Sequence, residues 1–528
     1  MPPPICAEER GWLWGLGAVT FLLAFGNLAA PLVEPTEARY ALIPAEMLAS
    51  GLWFSPTLFG EAYQDKPPLL YWLVMASYSL LGVSDWAARI PACCCAMATP
   101  WVAWAWLRAA IGPRAGLLAA WVLCLSPRVM YYMGMLAMDG LVGLATVSIL
   151  GSLHLAVTTH RWRWPFLALA TLAVIAGILA KGPVVLVGTV PTAFIAVALS
   201  GKWNSAMHLG LWLVFAIIGS GACFWLLDSA SPGFSQAFLL RHNVERFASP
   251  FDHTGPWWYH LPGFAIALLP WGPIALWTWW KSQKPSPCPD DSSAFVWLAF
   301  SFAIGIVFFS AAGSKRPSYG TVFLPQACML MGLFLDRCLP TGWAALSNPR
   351  SDLGTALAWI FIPGLAGIGW AGWLLGWSSW GWIPPLALCS LAGTWAVWRH
   401  GCRCHIGLAL ASVTMAFGHV VLLWGHHDTF SPRRGLAWLC RHQPNSVLAC
   451  FPHPFESVEF YANGMPVMHF NETQTHELAL FLHQNPQAVL VAKGNKLPAP
   501  LLAELGVQPV PATPYKSTPW LMRLPKMD

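Results

Sequence analysis

Long apolar runs separated by short polar loops constrain the fold of this chain more than any other feature of its sequence. An α-helix needs about 20 apolar residues to cross a bilayer, and thirteen runs approach that length. Only 10% of the 528 residues are charged and 56% are hydrophobic, whereas soluble domains carry about 25% charged residues. The runs predict a mainly α membrane protein with about 13 transmembrane helices, at 11–32, 86–108, 114–131, 137–157, 163–180, 182–200, 207–228, 260–281, 293–312, 318–336, 353–376, 380–398 and 405–424.

Charge and cysteine usage exclude two other classes of protein. The net charge of +6 is small and spread along the chain, so it does not indicate nucleic-acid binding. The 14 Cys residues lie mostly in or near apolar runs, which indicates small apolar side chains instead of a disulfide framework. No A-x-A-like cleavage site follows the first apolar run, which therefore predicts a retained membrane anchor.

Segment 67–83 is the apolar stretch whose crossing of the membrane is in question. It has 17 residues and opens with two prolines, so it could span or lie at the interface. With the N-terminus inside and no crossing here, 12 Lys and Arg before residue 425 are inside and 9 outside; with a crossing, the counts become 8 and 13. Cytoplasmic loops carry the excess of Lys and Arg, so we predict that 33–85 lies wholly outside.

That topology also gathers the polar groups of the chain on one side of the membrane. Chance would not sort them in this way. The groups on the outer side are Glu34, Glu37, Asp65, Lys66, Asp139, Lys181, Arg246 and Lys315.

The character of the sequence changes after residue 425. Residues 426–528 hold 7 of the 23 acids and alternate short apolar strands, at 446–451, 466–470 and 488–493, with helical patterns at 456–463, 475–484 and 499–506. Alternation of this length predicts a small α/β domain. We therefore divide the chain into a transmembrane domain, 1–425, and an outer α/β domain, 426–528.

The first outer loop offers two carboxylates three residues apart, Glu34 and Glu37. At helical spacing they share a face, and a carboxylate in a partly dehydrated pocket can take a proton from an attacking hydroxyl or hold a sugar hydroxyl. The plainer interpretation is a helix N-terminus, where acids interact well with the dipole and Thr36 could cap.

Asp139 and several cations are further candidates. Asp139 is the only acid between Asp85 and Asp228, and it either caps a helix or belongs to a site. Cations stand at Pro or Gly-Pro breaks, a setting that suits a phosphate if they meet carboxylates, whereas a single lysine there would be an interfacial residue. These cations are Lys66, Lys181, Lys315 and Arg316.

The loop 227–261 combines histidines with a Trp257-Trp258-Tyr259 cluster. Aromatic rings beside a polar loop can stack on sugar faces or form an interfacial belt. His242, His253 and His260 lack metal-ligand spacing such as H-x-x-x-H. A divalent metal is therefore kept open as a cofactor, and no cofactor is assigned.

Eight short motifs resemble those of the bacterial aminoarabinose-transferase-like glycosyltransferases, in the superfamily of the protein O-mannosyltransferases. The resemblance covers most of 10–335, in order and at plausible spacing. The motifs are EPTEARY (34–40), EMLASG (46–51), DKPPLLYW (65–72), VSDWAARIP (83–91), MDG (138–140), AKGP (180–183), GPWWY (255–259) and SKRPSY (314–319).

This resemblance implies a GT-C membrane fold of about thirteen helices with a periplasmic domain, in the bacterial inner membrane. The family transfers a sugar, with inversion, from a polyprenyl-phosphate carrier to an acceptor at the outer face. Its first-loop acid stands in a D-E-x-R-Y motif, where this chain has Thr36 at the Asp position and Glu37 at the Glu position. Glu34 matches a further acid of many relatives, and Asp139 matches the second family acid.

The family's Glu-Lys-Pro falls on Asp65-Lys66-Pro67. Some members hold a metal through that Glu and loop histidines, and the shorter Asp65 departs from their pattern.

The sequence thus predicts an inner-membrane glycosyltransferase that modifies lipid A, a glycan or a protein. The catalytic residues are predicted to be Glu34, Glu37 and Asp139. The alternatives are a lipid-linked glycan flippase or transporter without transferase chemistry, whose polar groups should lie near the midplane, and a structural scaffold. The residues predicted to bind substrate are Arg39, Tyr40, Asp65, Lys66, Arg246 and Lys315.

Overall fold

A computed structural model of the chain shows a helical bundle followed by a small α/β unit. The structure describes residues 4–492 and the strand Leu521–Met522, except 27, 160, 162, 246, 248–253, 283–292, 317, 341, 344–345, 347, 349–350, 376–382, 419–420 and 422–430. The predicted α pattern at 499–506 lies outside the described residues.

Each of the thirteen predicted apolar runs contains at least one helix. The helices of the bundle are α1 (Ala7–Phe25), α2 (Thr36–Ser50), α3 (Leu69–Leu81), α4 (Asp85–Ala110), α5 (Pro113–Cys124), α6 (Pro127–Gly134), α7 (Asp139–Thr158), α8 (Arg163–Lys181), α9 (Val184–Val187), α10 (Val190–Ser200), α11 (Trp203–Ala230), α12 (His260–Ala267), α13 (Trp271–Ser282), α14 (Ser293–Ala311), α15 (Leu324–Cys338), α16 (Asp352–Leu374), α17 (Ile383–His400) and α18 (Cys404–Gly418).

Fewer helices than thirteen are long and apolar enough to cross a bilayer by themselves. In the described part of the chain six satisfy both conditions, and eight do if two bent pairs, α5 with α6 and α12 with α13, each count as one span. The bends are 69° and 66°. A proline stands at each break, Pro127 and Pro270, and because proline removes a helix hydrogen bond it favours a bend there. The mainly α fold is confirmed, while the count of thirteen crossings stays a prediction.

Helix α3 is the structured part of the questioned segment 67–83. Its 13 residues extend only about 20 Å at a rise of 1.5 Å per residue, whereas the hydrocarbon core is about 30 Å thick. Pro68 stands at its N-terminal boundary, and Gly82, at φ 81°, stands at its C-terminal boundary. The length supports the prediction that this segment does not cross the membrane.

Helix α4 is held near each end by a buried ion pair. Near its start, Arg89 pairs with Glu37 at 2.6 Å. Near its end, Arg108 pairs with Glu9 of α1 at 2.6 Å. The two pairs lie at the ends predicted to be outside and inside, respectively. Breaking one partner of a buried pair leaves an uncompensated charge, so both pairs fix the position of α4 in the bundle.

The C-terminal unit has the predicted alternation of strands and helices. Its sheet has the order β4-β3-β5-β6, with β3 (Leu448–Phe451) parallel to both β4 (Val467–His469) and β5 (Val489–Ala492), and β6 (Leu521–Met522) antiparallel to β5. Helices α19 (Arg433–His442), α20 (Glu456–Tyr461) and α21 (Thr475–Gln484) accompany it. Strands β3 and β5 are buried at every position, as expected for parallel strands. A separate two-stranded ribbon, β1 (Thr57–Leu58) with β2 (Glu61–Ala62), lies in the first outer loop.

Candidate functional site

The loop between α1 and α2 is held in place by the ion pair of Glu37 with Arg89. Glu37 is 0% exposed. Its Oε1 accepts hydrogen bonds from Arg89 Nε at 3.0 Å and the Leu136 amide at 2.9 Å. Its Oε2 accepts from the Arg89 guanidinium at 2.6 Å and the Val33 amide at 3.2 Å. The carboxylate thus joins three segments of chain.

Arg89 completes this network by donating to backbone carbonyls of the same loop, those of Leu28, Ala30 and Pro31. Every contact of the pair described above is with the protein itself. The geometry therefore favours an architectural role for Glu37, and its catalytic role stays a prediction.

Glu34 lies against the C-terminal unit. Its Oε1 accepts from the Glu456 amide at 3.1 Å, and its Oε2 accepts from the Ser457 amide at 2.8 Å. Burial, then the hydrogen bond and the repulsion from the Glu456 carboxylate, raise the pKa of Glu34 to about 8. Glu34 therefore holds a proton that it shares with Glu456 near neutral pH.

Arg39, one helical turn into α2, binds the same acid. Its Nε and one terminal nitrogen donate to Glu456 Oε1 at 2.8 Å and 2.5 Å. It also forms a hydrogen bond with Tyr63. Burial raises the pKa of Tyr63 to about 12. Arg39 is a third exposed, so this cation borders an open space.

Asp65 extends this group toward the π-helical segment Gln236–Glu245. Its Oδ1 lies 2.9 Å from His242 Nε2, and the Lys66 ammonium donates to the Asp65 carbonyl at 2.9 Å. Burial acts to raise the pKa of Asp65, but the hydrogen bond and charge of His242, with the charges of Lys66 and Arg39, hold it below the ordinary value. We call Arg39, Tyr63, Asp65, His242 and Glu456 the Arg39 cluster.

A second group surrounds Asp139, at the first turn of α7. Oδ1 of Asp139 accepts from the Lys181 ammonium at 3.0 Å and from the Thr321 hydroxyl at 2.6 Å. Lys181 is the last residue of α8, and Thr321 lies in the 3-10 turn Tyr319–Val322. We call these three residues the Asp139 cluster. Three distant motifs, MDG, AKGP and the segment after SKRPSY, meet here.

Tyr40 connects the two clusters. The charges of Asp139 and Asp65 act on its hydroxyl together with that of Arg39, and burial is the main cause that raises its pKa. The Tyr40 ring lies 6.2 Å from that of Tyr71. The hydroxyl of Tyr71 is buried without a hydrogen-bond partner in the described part of the chain. Five of the nine predicted site residues, Arg39, Tyr40, Asp65, Lys66 and Asp139, therefore belong to one region.

The remaining predicted cations are placed differently. The Lys315 ammonium donates to the carbonyls of Phe309 and Ser310, at 2.8 Å and 2.7 Å, at the end of α14. Arg316 follows it and is half-buried. Arg246 lies outside the described residues, as does His253. Binding of phosphate by Lys315 and Arg246 stays a prediction.

A metal site would use Asp65 and His242 first. A carboxylate and an imidazole are suitable ligands for Zn²⁺, which takes at least three protein ligands. The described residues contain no group of three His, Cys, Asp or Glu that could hold a metal ion. Asp65 and His242 therefore provide two of the three or more ligands that such a site requires.

Several residues of these clusters were not predicted from the sequence. Arg89 stands within the VSDWAARIP motif, and Thr321 follows SKRPSY by two residues, so the motifs pointed to both. Glu456 had no such signal, because it comes from the C-terminal unit, more than 400 positions from Arg39. Tyr63 and Tyr71 flank the DKPP motif and needed the fold to place them.

This chain is similar in sequence to known membrane glycosyltransferases. Residues 65–225 match the family model described as dolichyl-phosphate-mannose-protein mannosyltransferase. The undecaprenyl phosphate-alpha-4-amino-4-deoxy-L-arabinose arabinosyl transferase of Edwardsiella ictaluri is 28% identical over 435 residues, covering 75% of each chain. The enzyme with that name from Pseudomonas aeruginosa PAO1 is 27% identical, over 63% of this chain and 61% of its own length.

Solved structures agree with the fold. The structure of ArnT from Cupriavidus metallidurans bound to undecaprenyl phosphate matches with a TM-score of 0.71 and 22% identity, covering 97% of both chains. Its apo state matches equally, at 0.71 with 21% identity. At this identity the likeness concerns the fold, and it confirms the predicted GT-C architecture.

Proposed function

We propose that this chain, a GT-C membrane glycosyltransferase related to the bacterial aminoarabinose transferases and the protein O-mannosyltransferases, moves a sugar from a polyprenyl-phosphate carrier to a lipid A, glycan or protein acceptor. The chain is a multi-pass protein of the inner membrane, and the reaction takes place at its periplasmic face. The relatives named above are transferases of undecaprenyl phosphate-linked 4-amino-4-deoxy-L-arabinose, which is therefore the first donor to test.

The carboxylate of Asp139 is the observation that carries this proposal. Both of its hydrogen bonds from described residues, from Lys181 and Thr321, go to Oδ1. Oδ2 has no such partner in the described part of the chain. A carboxylate oriented through one oxygen, with the other oxygen available, suits a group that accepts a proton or orients an acceptor hydroxyl.

The transfer step follows from this geometry. The acceptor oxygen attacks the anomeric carbon, the bond from that carbon to the phosphate oxygen breaks, and the carrier leaves as polyprenyl phosphate. The proton of an acceptor hydroxyl passes to Asp139. Lys181 lies 3.0 Å from Asp139 and fixes the position of the carboxylate. Glu34 is the second acid proposed to act in the site. The proton that it shares with Glu456 places its side chain at the junction with the C-terminal unit.

The leaving phosphate requires cations, because negative charge develops on it as the bond breaks. Arg39 and Lys66 are the proposed ligands, with help from Arg246 and Lys315. Arg39 is the strongest candidate of the four, since its guanidinium is partly exposed and a guanidinium is well suited to binding phosphate. Tyr40 and Asp65, beside Arg39, would orient the sugar.

The domain division and the side of the C-terminal unit belong to the same proposal. We place the boundary near residue 425, with a transmembrane catalytic domain, 1–425, and a periplasmic α/β domain, 426–528. Support comes from the direct bonds of the C-terminal unit to the first outer loop, through Glu456 and Tyr461. Because that loop is predicted to lie outside, these bonds favour the periplasmic side for the C-terminal unit.

The alternative is a flippase or transporter for lipid-linked sugars, without transfer. Mass spectrometry of envelope lipids and glycans from cells with and without the gene identifies the acceptor, and sugar transfer by the purified protein, which a flippase would not perform, separates the two. A transferase predicts the loss of one sugar increment from one acceptor, restored by the wild-type gene and not by Asp139→Asn. If Asp139→Asn restores the increment as fully as the wild type, Asp139 does not act in the transfer, and a purified wild-type protein that transfers no sugar would overturn the transferase function.

A further inference from the structure

We propose a second phosphate site, which binds the phosphate of a membrane lipid substrate between α6 and α12, with Arg128 and His260 as its ligands. The inference rests on the proposed function only for the identity of the lipid. A cavity of about 180 Å³ lies there, lined by Arg128, Tyr259, His260, Phe264, Gly320 and Leu324. This space exceeds the ~30 Å³ that one water occupies in the liquid.

Arg128 is held at the wall of this cavity. One terminal nitrogen donates to the Gly263 carbonyl at 2.9 Å, and the guanidinium lies 5.6 Å from the centre of the Tyr132 ring. These contacts orient the planar group beside the cavity. A guanidinium presents several parallel N–H donors, which match the oxygens of a phosphate.

His260 provides the second ligand. The residue is 4% exposed, and its Nε2 is buried without a hydrogen-bond partner among the described residues. The Tyr259 and Phe309 rings pack against the imidazole, with centroids 5.1 Å and 5.9 Å away. A buried polar atom without a partner is costly and rare. The imidazole that carries this nitrogen lines the cavity, so a ligand bound there could satisfy it after a small movement of the ring. In the tautomer with hydrogen on Nε2 it donates to an anion.

The charges around His260 select an anion. Among the described residues, the charged side chains that act on its ring are both cations, Lys315 and Arg128. Lys315 is 4% exposed and bonded to carbonyls at the end of α14, so it adds positive potential without occupying the cavity. A phosphate would reduce this concentration of positive charge.

The surroundings indicate a lipid phosphate. Phe264 and Leu324 form an apolar wall of the cavity. Trp257 and Trp258, in the 3-10 turn just before α12, are 67% and 51% exposed, as expected of aromatic residues at the level of the headgroups. The cavity thus offers charge on one side and hydrocarbon on the other, which suits an amphiphile at the membrane surface.

The cavity is also next to the proposed reaction centre. Gly320 lines the cavity, and the following residue, Thr321, donates to Asp139. A phosphate held by Arg128 would therefore lie across the 3-10 turn from that carboxylate. The polyprenyl-phosphate carrier of the proposed reaction bears a phosphate, and so does lipid A, one of its proposed acceptors.

The test measures binding without turnover. The full chain in phosphatidylcholine nanodiscs is titrated with undecaprenyl phosphate, with diphosphoryl lipid A and with dephosphorylated lipid A, and the bound lipid is counted by native mass spectrometry. Arg128→Gln should weaken binding of one phosphorylated lipid roughly tenfold to a hundredfold. It should leave binding of dephosphorylated lipid A unchanged. Arg399→Gln, which removes a guanidinium stacked on Trp395 at the predicted inner side, is the matched control.

A second variant keeps the test decisive if Arg128→Gln does not fold. His260→Phe keeps a ring between Tyr259 and Phe309 and removes the unpartnered nitrogen, so it should fold and bind the same lipid less tightly. Loss confined to lipid A assigns the site to the acceptor, and loss confined to undecaprenyl phosphate assigns it to the carrier. Unchanged binding of both lipids in folded variants overturns the site, whereas normal binding with no sugar transfer by wild type overturns the proposed function alone.

Discussion

Lys181 at the end of α8 places its ammonium 3.0 Å from Oδ1 of Asp139 at the start of α7. A cation at the end of one helix and an acid at the start of another usually interact with the helix dipoles. Here the outer ends of α7 and α8 bring the two charges together, and Thr321 approaches the same oxygen. The Asp139 carboxylate is therefore held by two hydrogen bonds to one oxygen, in surroundings that are mostly apolar.

The first prediction concerns Glu37, whose four described hydrogen bonds all serve the protein. Glu37→Gln should lower the free energy of unfolding by about 3 kcal/mol or more, because it leaves Arg89 buried and unpaired. Thermal unfolding in detergent measures this loss. Glu61→Gln, an exposed acid of the same loop, is the control and should change stability little. A stable Glu37→Gln protein without activity would instead support the catalytic role predicted from the sequence.

The second prediction concerns the pH dependence of the contact between Glu34 and the C-terminal unit. The pKa of Glu34 is raised from 4.5 to about 8, so the folded state binds this proton more tightly than the unfolded state. Its contribution is therefore fully present below about pH 4.5 and is lost as the pH rises through about 8.

Hydrogen exchange of the Glu456 and Ser457 amides at pH 6 and pH 9 measures this effect. Exchange should rise at pH 9 beyond the intrinsic change in rate. Glu34→Gln cannot ionise, so it should lose most of that additional rise. A pH response equal in both proteins would show that Glu34 does not carry the proton.

The Arg39 and Asp139 clusters show which parts of the fold and of the candidate site could be predicted from the sequence. The helical fold, the strands of the C-terminal unit and the outer-side grouping follow from apolar runs and short motifs, which act over a few neighbouring residues. Glu34 and Arg39 were recognised, but their shared partner Glu456 was not, since that contact depends on how the C-terminal unit packs. Glu37 was predicted to act in the site because spacing alone does not reveal that Arg89 occupies its carboxylate.

The third prediction concerns binding of the carrier phosphate by Lys66. Lys66→Met keeps most of the side-chain length and removes the charge, so the protein should stay folded. Loss of one charge-assisted hydrogen bond costs about 1.5–3 kcal/mol, or roughly tenfold to a hundredfold in affinity for the carrier phosphate. Isothermal titration with undecaprenyl phosphate measures it, with Lys202→Met, an exposed lysine, as control. Equal affinity in wild type and Lys66→Met would remove Lys66 from the phosphate site.

The fourth prediction concerns topology. If α3 does not cross the membrane, the end of α4 is inside, so a cysteine introduced by Ala109→Cys in a cysteine-free background should resist a membrane-impermeant maleimide applied to intact spheroplasts. Ala109 is exposed at that end of the helix. Glu61→Cys, in the first outer loop, should be labelled under the same conditions. Labelling of residue 109 from outside would mean that segment 67–83 crosses.

The central claim is that Asp139 accepts the acceptor's proton as the sugar leaves a polyprenyl phosphate. The most direct measurement is sugar transfer by purified protein in liposomes, from undecaprenyl-phosphate-linked 4-amino-4-deoxy-L-arabinose to lipid A, followed as the mass gain of the acceptor. Asp139→Asn keeps the shape of the side chain, and Asp352→Asn, an exposed acid in the first turn of α16, is the matched control. We expect transfer by wild type and by Asp352→Asn, and a fall of about 10²–10⁴-fold in Asp139→Asn with nearly unchanged thermal stability. Transfer by Asp139→Asn at the wild-type rate would contradict the central claim.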